Sequence, residues 1–426
     1  MLEKNILQSN AFTFLSSVEK NLEYLSKERT EGVTIRLKKV LDAFSQQGLG
    51  PHHFSSVNGY GHGDLGRDLI DKVFANVFKA DHAAARVQFV SGTHAIASVL
   101  FGILRPGDNL LSVTGRPYET LEEVIGLRNS GQGSLKDFGI NYEETSVFNK
   151  RVLQLEELKE SLKIKRNMIF IQRSCGYSWR PSLSIANIKS ICACIHEIQP
   201  ECICFVDNCY GEFVEDKEPI EVGADLIAGS LIKNPGGTIV PAGGYIAGNF
   251  DLVEKACCRL TAPGIGSFGG TSFDLNRIIL QGLFLSPQMV AESLIGSDLI
   301  AAVFNTLGFD VNPLPGEYRS DLIQAICLKK PEIIKILCNA FQMSSPVGSY
   351  LKPISSNMPG YQSDLLMAGG TFIDGSTSEF SADGPLKAPY NIFIQGGTHR
   401  SHIKIALAQA LVMLEQERLL KLPQNI

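Results

Sequence analysis

Short apolar runs alternate with longer amphipathic stretches through the first two thirds of the chain. The runs at 109–114, 168–171 and 202–206 are rich in apolar residues and bounded by polar or turn-forming residues, which predicts buried strands. Stretches such as 185–198 have apolar residues at three-to-four spacing, which predicts helices. The repetition of strand, helix and strand indicates an α/β fold with a parallel sheet and right-handed crossovers.

The two ends of the chain carry different patterns. Residues 1 to about 50 have apolar positions at helical spacing and end at the turn signal Gly-Leu-Gly-Pro, which predicts a helical arm. After about residue 274, a long helical stretch leads into short strands and helices separated by glycine- and proline-rich loops, such as 358–361 and 381–385. Because 426 residues exceed one ordinary core, we predict an arm (1–56), a large domain (57–273), and a bridging helix with a small C-terminal domain (274–426).

A carboxylate and a lysine stand out within the stretch 205–248. Asp207 ends an apolar strand, and Lys233 lies between an apolar run and a glycine- and proline-rich loop. A pyridoxal-phosphate enzyme needs a lysine that forms a Schiff base with the cofactor's aldehyde, and a carboxylate that keeps its ring nitrogen protonated. The pair therefore predicts that Lys233 carries the cofactor covalently and that Asp207 contacts the ring nitrogen.

Two further places suit such a cofactor. Phe89 and Val90 predict a strand that ends at Ser91, Gly92 and Thr93. A helix is predicted to begin there, and its free N–H groups and positive dipole end would bind a phosphate. Many helices are capped in this way, so these three residues indicate a phosphate site only in combination with the other candidate residues. Tyr118 follows a loop at a strand end, where its ring could stack on a pyridine ring, although a surface tyrosine is the alternative.

Four polar residues each allow two interpretations. Tyr60 and Arg67 lie in a polar, glycine-rich segment, which is either a linker or a loop that brings both residues to an anionic site. Arg173 and Arg180 lie in a segment that is otherwise apolar or small. Each of these two arginines is a candidate for binding a substrate carboxylate, and each could equally be a salt-bridged scaffold residue.

Composition narrows the class of protein. Hydrophobic residues make up 44% of the chain and charged residues 19%, as in soluble α/β enzymes, and a net charge of −5 gives no reason to expect nucleic acid. The start of the chain does not read as a signal peptide, and no apolar run approaches the ~18 residues of a membrane helix, so we expect a cytoplasmic protein. The ten cysteines do not follow zinc-site spacings, which predicts buried, reduced thiols and no metal.

With these residues in view, the chain resembles the fold-type-I pyridoxal-phosphate enzymes, and among them the cystathionine and methionine lyase group. VDNCYGEFVE followed by GADLIAGSLIKNPGG is similar to that group's valine-aspartate-asparagine strand and serine-x-x-lysine segment. The motifs GYGHGDLGRD, SGTHAIA, QRSCGYSWRPSL, SSPVGSY, MPGY and SADGPLKAPY are similar to a branch of methionine gamma-lyase-like or aluminium-resistance proteins. The resemblance implies a large domain with a mostly parallel, seven-stranded sheet and a smaller C-terminal α/β domain.

The resemblance also implies roles for the candidate residues. Lys233 would hold pyridoxal 5'-phosphate, Asp207 would pair with its ring nitrogen, and Tyr118 would stack on the ring. The implied phosphate ligands are Ser91, Gly92, Thr93 and Ser230 of the same chain, with Tyr60 and Arg67 reaching the phosphate of a neighbouring subunit. Shared sites of this kind imply a homodimer at least, and commonly a homotetramer.

The resemblance is less complete for the residues that would bind the substrate. The lyases' tyrosine-glycine-glycine motif is replaced by PYET, and Arg319 and Arg400 join Arg173 and Arg180 as candidates for the carboxylate-binding arginine. The implied reaction is β- or γ-elimination from a sulfur-containing amino acid, giving a 2-oxo acid, ammonia and a thiol. The alternatives are aldol cleavage, replacement or transamination with the same cofactor, or a cofactor-binding protein without turnover, since the fold hosts them all.

Overall fold

The computed structural model describes residues 5–128, 132–356, 363–376 and 378–423, and the motif MPGY at 358–361 lies outside these ranges. Internal contacts divide the chain into two units, one formed by Ile35–Ser286 and the other by Met1–Thr34 together with Pro287–Ile426. The first 34 residues of the predicted arm therefore belong with the C-terminal part of the chain. The other limit lies between residues 286 and 287, inside a long helix, and not at 273.

The elements of the described ranges are as follows. The α-helices are α1 (Asn10–Lys20), α2 (Glu23–Gln46), α3 (Leu65–Phe78), α4 (Gly92–Ile103), α5 (Glu119–Ile125), α6 (Glu156–Ser161), α7 (Ile185–Ile198), α8 (Phe250–Leu260), α9 (Asn276–Thr306), α10 (Pro331–Met343) and α11 (Arg400–Gln416). The strands are β1 (His82–Arg86), β2 (Asn109–Ser112), β3 (Asn141–Glu144), β4 (Phe148–Asn149), β5 (Val152–Leu153), β6 (Met168–Gln172), β7 (Ile203–Asp207), β8 (Leu226–Ser230), β9 (Gly244–Gly248), β10 (Asp310–Asn312), β11 (Gln324–Cys327), β12 (Leu365–Ala368), β13 (Ser381–Pro385) and β14 (Asn391–Gln395).

A seven-stranded sheet with the order β1-β9-β8-β7-β6-β2-β3 organises the first unit. The pairs from β8 through β3 are parallel, whereas β9 runs antiparallel to both of its neighbours. The predicted α/β class and the mostly parallel seven-stranded sheet are confirmed. Because β6, β7 and β8 run in the same direction, their carboxyl ends lie at one edge of the sheet.

The central strands form because they are apolar on both faces. Each of β6 and β8 is buried at all five positions, and β7 at four of its five, as expected for strands that are covered on both sides. Phe170 of β6 and Phe205 of β7 lie with ring centroids 5.7 Å apart. They join the apolar face of α4 in one buried cluster.

The strand predicted to end at Ser91 is wrong in its position. The strand β1 ends at Arg86, and residues 87–91 form a turn before α4 begins at Gly92. The apolar Phe89 that suggested a strand is completely buried in this turn, where its ring contacts His94 with 5.7 Å between ring centroids. An isolated apolar residue can thus fill a core from a loop as well as from a strand.

The second unit contains a five-stranded sheet, in which every pair is antiparallel. Its residues share a buried cluster with α1, α10 and α11. The segment Ser381–Pro385, which sequence composition assigned to a glycine- and proline-rich loop, is the strand β13. Gly384 lets this strand pack closely against α10, since an added Cβ would lie only 2.5 Å from Cγ2 of Ile334.

Helix α9 is long and apolar enough, by length and composition, to cross a membrane. Within the described ranges it is the single helix with this property, and 67% of its most apolar window is buried inside the protein. Buried core helices meet the same criteria. All ten cysteines are described and are free thiols, nine of them buried and Cys258 half-buried.

Candidate active site

The candidate residues gather where β6, β7 and β8 end. Asp207 is the last residue of β7 and pairs in register with Gln172, the last residue of β6. Ser230 is the last residue of β8, and Lys233 follows in the connection to β9. The carboxyl edge of an open α/β sheet is the usual place for a ligand, because the loops there are free to carry functional groups.

Asp207 is buried, with 4% of its surface exposed. The backbone N–H of Cys209 donates to its Oδ1 over 3.1 Å and so fixes the carboxylate's orientation. Burial raises the pKa of Asp207, while the positive charge of Lys233 and the Cys209 hydrogen bonds oppose this shift. A cation placed against this carboxylate would therefore be strongly favoured.

Lys233 lies over an aromatic ring that sequence reasoning did not single out. Its Nζ is 3.9 Å from the centroid of the Tyr210 ring. Burial lowers the pKa of Lys233, but the neighbouring groups of Tyr210, Cys209 and Asp207 raise it by more, so that the net pKa is raised. Tyr210 has a left-handed backbone with φ of 70°, a strained conformation for a tyrosine, which places its ring at this position.

The loop that carries Lys233 is tightly packed. Ser230 pairs in register with Gly244, so β8 and β9 bring the two ends of the loop together. An added Cβ on Gly236 would lie 1.8 Å from the carbonyl oxygen of Leu231, which leaves glycine as the residue that fits. The side-chain amide of Asn234 donates to the backbone oxygen of Glu212 over 2.9 Å and ties the loop to the segment after β7.

The start of α4 packs against the end of β8. Ser91 caps the helix, and its Oγ accepts the N–H of His94 over 3.1 Å. An added Cβ on Gly92 would lie 3.1 Å from Cβ of Ser230 and 3.3 Å from Sγ of Cys209. The first N–H groups of a helix have no partner within it, so a patch of donors faces the residues after β7 and β8.

Tyr118 connects this helix start to the carboxylate. Its hydroxyl lies 3.2 Å from Oγ1 of Thr93, and its backbone N–H donates to Oε1 of Gln172 over 3.1 Å. Burial, and then the charge of Asp207, raise the pKa of Tyr118 well above its usual value, so the phenol stays protonated. The structure brings Tyr118 into the same neighbourhood as Thr93 and Asp207, and its stacking on a ring stays a prediction.

Arg173 is a scaffold residue, and the structure contradicts its reading as a carboxylate ligand. Its side chain is completely buried. Nη1 donates to Asn208 over 2.7 Å, and Nη2 to Glu215 over 2.8 Å, with Glu218 3.6 Å away. A guanidinium that is enclosed and bonded in this way cannot reach a substrate.

Arg180 is placed differently from Arg173. Its guanidinium donates to the backbone oxygens of Pro181, Gln172 and Ser174. Its charge also opposes the rise in the pKa of Asp207, which puts it near the candidate site. Arg180 therefore keeps its place as a candidate for the substrate carboxylate.

The remaining arginines are engaged within their own unit. Arg319 is bonded to Asp298 over 2.5 Å, and Arg400 to Glu292 over 2.5 Å. Arg67 is 2% exposed and donates to the backbone oxygens of Gly61 and Gly270 over 2.8 and 2.9 Å. With this role in bracing two loops, Arg67 is not placed to reach a neighbouring subunit's phosphate as predicted. Tyr60, by contrast, is 83% exposed, and its role stays a prediction.

Glu212 was missed in the sequence, although it lies in the same motif as Asp207. It is completely buried, its Oε1 accepts the hydroxyl of Tyr245 over 2.9 Å, and its Oε2 has no hydrogen-bond partner. Burial raises its pKa to about 8, with the charge of Glu218 adding to the shift and that of Lys233 opposing it. A glutamate after a buried strand is a common pattern, so its position under the lysine loop emerges only from the fold.

Replacing Glu212 with glutamine is expected to make stability less dependent on pH. The folded-state pKa of about 8 exceeds the ordinary 4.5, so the stabilising contribution of the protonated acid is complete below about pH 4.5 and is lost as the pH rises through 8. At about 1.4 kcal/mol per pKa unit, the loss amounts to a few kcal/mol. Melting temperatures between about pH 6 and pH 9 should fall more steeply for the parent and for the exposed control Glu28→Gln than for Glu212→Gln; equal slopes would contradict this result.

The residues at the sheet edge fit pyridoxal phosphate. The cofactor has a phosphate, an aldehyde and a ring nitrogen that carries a proton. The start of α4 offers unpaired N–H donors beside Ser230, Lys233 offers a buried amine, and Asp207 offers an oriented carboxylate. These three groups meet at one place in one unit of the chain.

Comparison with known proteins identifies the family. A profile of the methionine gamma-lyase family matches residues 11–415. The chain belongs to this family. The Bacillus subtilis protein YnbB, whose function is uncharacterised, is 42% identical over 421 residues, which is 99% of this chain and 98% of YnbB. A Clostridium novyi NT structure, a carbon–sulfur lyase involved in aluminium resistance, is 43% identical with a TM-score of 0.90, covering 94% of this chain and 95% of that one.

More distant structures establish the fold. The pyridoxal-phosphate-dependent protein YhfS of Escherichia coli is 17% identical to this methionine gamma-lyase family member, with a TM-score of 0.62 over 90% of this chain and 97% of YhfS. At this identity the likeness shows the fold alone. The predicted resemblance to the lyase group and to its aluminium-resistance branch is thus confirmed.

Proposed function

We propose that this protein is a pyridoxal-phosphate-dependent carbon–sulfur lyase, with the cofactor linked to Lys233. Its substrate would be a sulfur-containing amino acid, cleaved by β- or γ-elimination to a 2-oxo acid, ammonia and a thiol. The observation that carries the proposal is the meeting of Asp207, Lys233 and the start of α4 at the carboxyl edge of the sheet. Family membership and the carbon–sulfur lyase of Clostridium novyi NT support it.

Each residue has a task that its surroundings suit. When bound, pyridoxal phosphate would supply an aldehyde for the amine and a ring that withdraws electrons from the substrate's Cα. Asp207, held by the Cys209 N–H, would keep the ring nitrogen protonated. The first-turn amides at Gly92 and the hydroxyl of Ser230 would bind the phosphate, because both face the same small space.

Lys233 is the residue placed to move a proton. Its buried amine lies beside Tyr210 and Asp207, where it would accept the Cα proton of a bound substrate. The Tyr210 ring lies against Nζ and the loop is anchored at both ends, so the amine is held at one position. Arg180, whose charge reaches Asp207, is the arginine we assign to the substrate carboxylate.

The subunit arrangement is a further part of the proposal. Tyr60 is exposed, and its ring stacks on His62 with 5.6 Å between ring centroids. A second copy of the chain could receive this ring at its phosphate, which would make a homodimer the smallest active unit and agree with the predicted tetramer. The expected cytoplasmic location stays a prediction.

A turnover assay tests the reaction. The full chain, saturated with pyridoxal phosphate, is incubated with cystathionine, methionine or cysteine, and with threonine as a control without sulfur. We expect a 2-oxo acid, ammonia and a thiol in equal amounts from at least one sulfur-containing substrate. Release of a 2-oxo acid from threonine alone, or a bound cofactor without any turnover, would contradict the carbon–sulfur lyase and favour the alternatives.

A further inference from the structure

A histidine, a thiol and a carboxylate converge at the edge of the large sheet opposite Asp207. Cys204 is the second residue of β7, Asp225 immediately precedes β8, and His196 lies in the last turn of α7. Because β7 and β8 are parallel, their amino ends share this edge. Asp207 lies three positions after Cys204 along the strand, a distance of about 10 Å. The cluster is therefore separate from the candidate active site.

The three ligand atoms are spaced like the corners of a metal site. Nε2 of His196 lies 3.1 Å from Oδ2 of Asp225 and 3.5 Å from Sγ of Cys204, and all three side chains offer ligand atoms within 4.8 Å of one another. A tetrahedral zinc ion with bonds of about 2.0 Å to nitrogen and oxygen and 2.3 Å to sulfur would separate nitrogen from oxygen by roughly 3.3 Å, and nitrogen from sulfur by roughly 3.5 Å. The observed nitrogen–oxygen and nitrogen–sulfur separations, 3.1 Å and 3.5 Å, are close to these expected values.

We propose that His196, Cys204 and Asp225 bind a thiophilic divalent cation, for which Zn²⁺ is the best match. A thiolate and an imidazole are ligands that zinc prefers, and a carboxylate completes a mixed set that magnesium or calcium would not select. On binding, the Cys204 thiol releases its proton to solvent and the His196 imidazole carries its proton on Nδ1, so that Sγ and Nε2 are free to ligate the ion.

Cys192 is the residue placed to supply a fourth ligand. It precedes His196 by four positions on α7, so both side chains leave the same face of the helix. The Cys192 side chain is close to the thiol of Cys204, and both cysteines are completely buried. A rotation of the Cys192 side chain would give two sulfur atoms, one nitrogen atom and one oxygen atom around the ion.

The surroundings hold the ligands and leave an entry path. The backbone N–H of Cys204 donates to Oδ2 of Asp225 over 2.7 Å, an outer contact of the kind that orients a metal-binding carboxylate. The side chains of His196 and Asp225 are 31% and 35% exposed, so an ion can arrive from solvent while the thiols stay buried. The sequence prediction of no metal considered cysteine spacings, whereas these ligands come from three separate elements.

Cobalt serves as the probe, because Co²⁺ takes the same ligands and absorbs visible light. The full chain, saturated with pyridoxal phosphate and freed of excess cofactor, is treated with a chelator and dialysed against Co²⁺. We compare the parent with His196→Gln and Asp225→Asn, two half-exposed positions at which folding should be retained. His82→Gln is the matched control, since His82 lies 3.2 Å from Glu254 with similar exposure but belongs to no three-ligand group in the described ranges.

The outcomes are distinct. We expect one tightly bound Co²⁺ per chain, with intense tetrahedral absorption in the red, in the parent and in His82→Gln, and at least tenfold weaker binding in His196→Gln and Asp225→Asn. Zn²⁺ should raise the melting temperature of the first two proteins only. A parent that binds no cobalt, or variants that bind it as the parent does, would overturn the proposal. Turnover is not part of the readout, so a failed lyase assay leaves this test intact.

Discussion

Lys233→Ala is expected to remove the visible absorbance band of the protein with pyridoxal phosphate and to lower turnover by roughly 10³-fold or more. The band requires a Schiff base, and alanine offers no amine to form it. The same substitution removes the group that we assign to the Cα proton, and general acid–base catalysis alone contributes about 10²–10⁴-fold. Titration of the purified variant with cofactor, followed by absorbance spectroscopy, measures the first effect.

Lys404→Ala is the matched control. Lys404 is also largely buried, with Nζ 4.6 Å from the Phe12 ring centroid and 2.6 Å from a Glu19 oxygen, but it lies in the other unit of the chain. Its loss should leave the band and the turnover unchanged. A band that persists in Lys233→Ala with the same position and intensity would place the cofactor on another lysine.

Arg173→Met is expected to lower the free energy of unfolding by about 3–5 kcal/mol, because it leaves buried charge uncompensated. Glu215 and Glu218 are 7% and 5% exposed and both face the Arg173 guanidinium. Burial raises the pKa of Glu218, while Arg173 opposes the shift, so its carboxylate depends on this partner. Urea and thermal unfolding midpoints of the variant and the parent measure the change.

Arg116→Met provides the comparison for Arg173. The Arg116 side chain is 50% exposed, and its partner Glu122 keeps a second arginine, Arg128, at 2.6 Å. We expect a change of less than about 1 kcal/mol, as is usual for exposed ion pairs. If Arg173→Met were as stable as the parent but showed a raised KM for the substrate, Arg173 would return as a carboxylate ligand.

Local pattern was enough to predict a parallel sheet and the strand end that carries Asp207. The runs that form β6 and β7 are apolar on both faces, so the end of β7 at Asp207 could be predicted from the sequence. The error before Ser91 has a local cause, because Phe89 is buried without being part of a strand. The strand β13 was missed because its glycine and proline resemble a turn, and its pairing with β12 and β14 is a long-range property.

The roles of individual polar side chains needed the three-dimensional structure. Arg173 and Arg180 lie seven positions apart in the same motif, yet one is enclosed by glutamates and the other bonds to backbone oxygens near the site. Tyr210 and Glu212 approach Lys233 only because the loops after β7 and β8 meet. Sequence spacing identifies such residues as polar groups near a strand end, but burial and partners decide what they do.

The antiparallel strand β9 has a consequence for how the cofactor is received. A parallel successor to β8 would begin at the far edge of the sheet, and the connection holding Lys233 would have to cross its whole face. Because β9 starts beside Ser230, the two ends of the loop are held together by the sheet. The conformational entropy of closing the loop is therefore lost during folding. The amine is therefore preorganised before any ligand arrives, which should favour fast and tight capture of an aldehyde with little rearrangement of the chain.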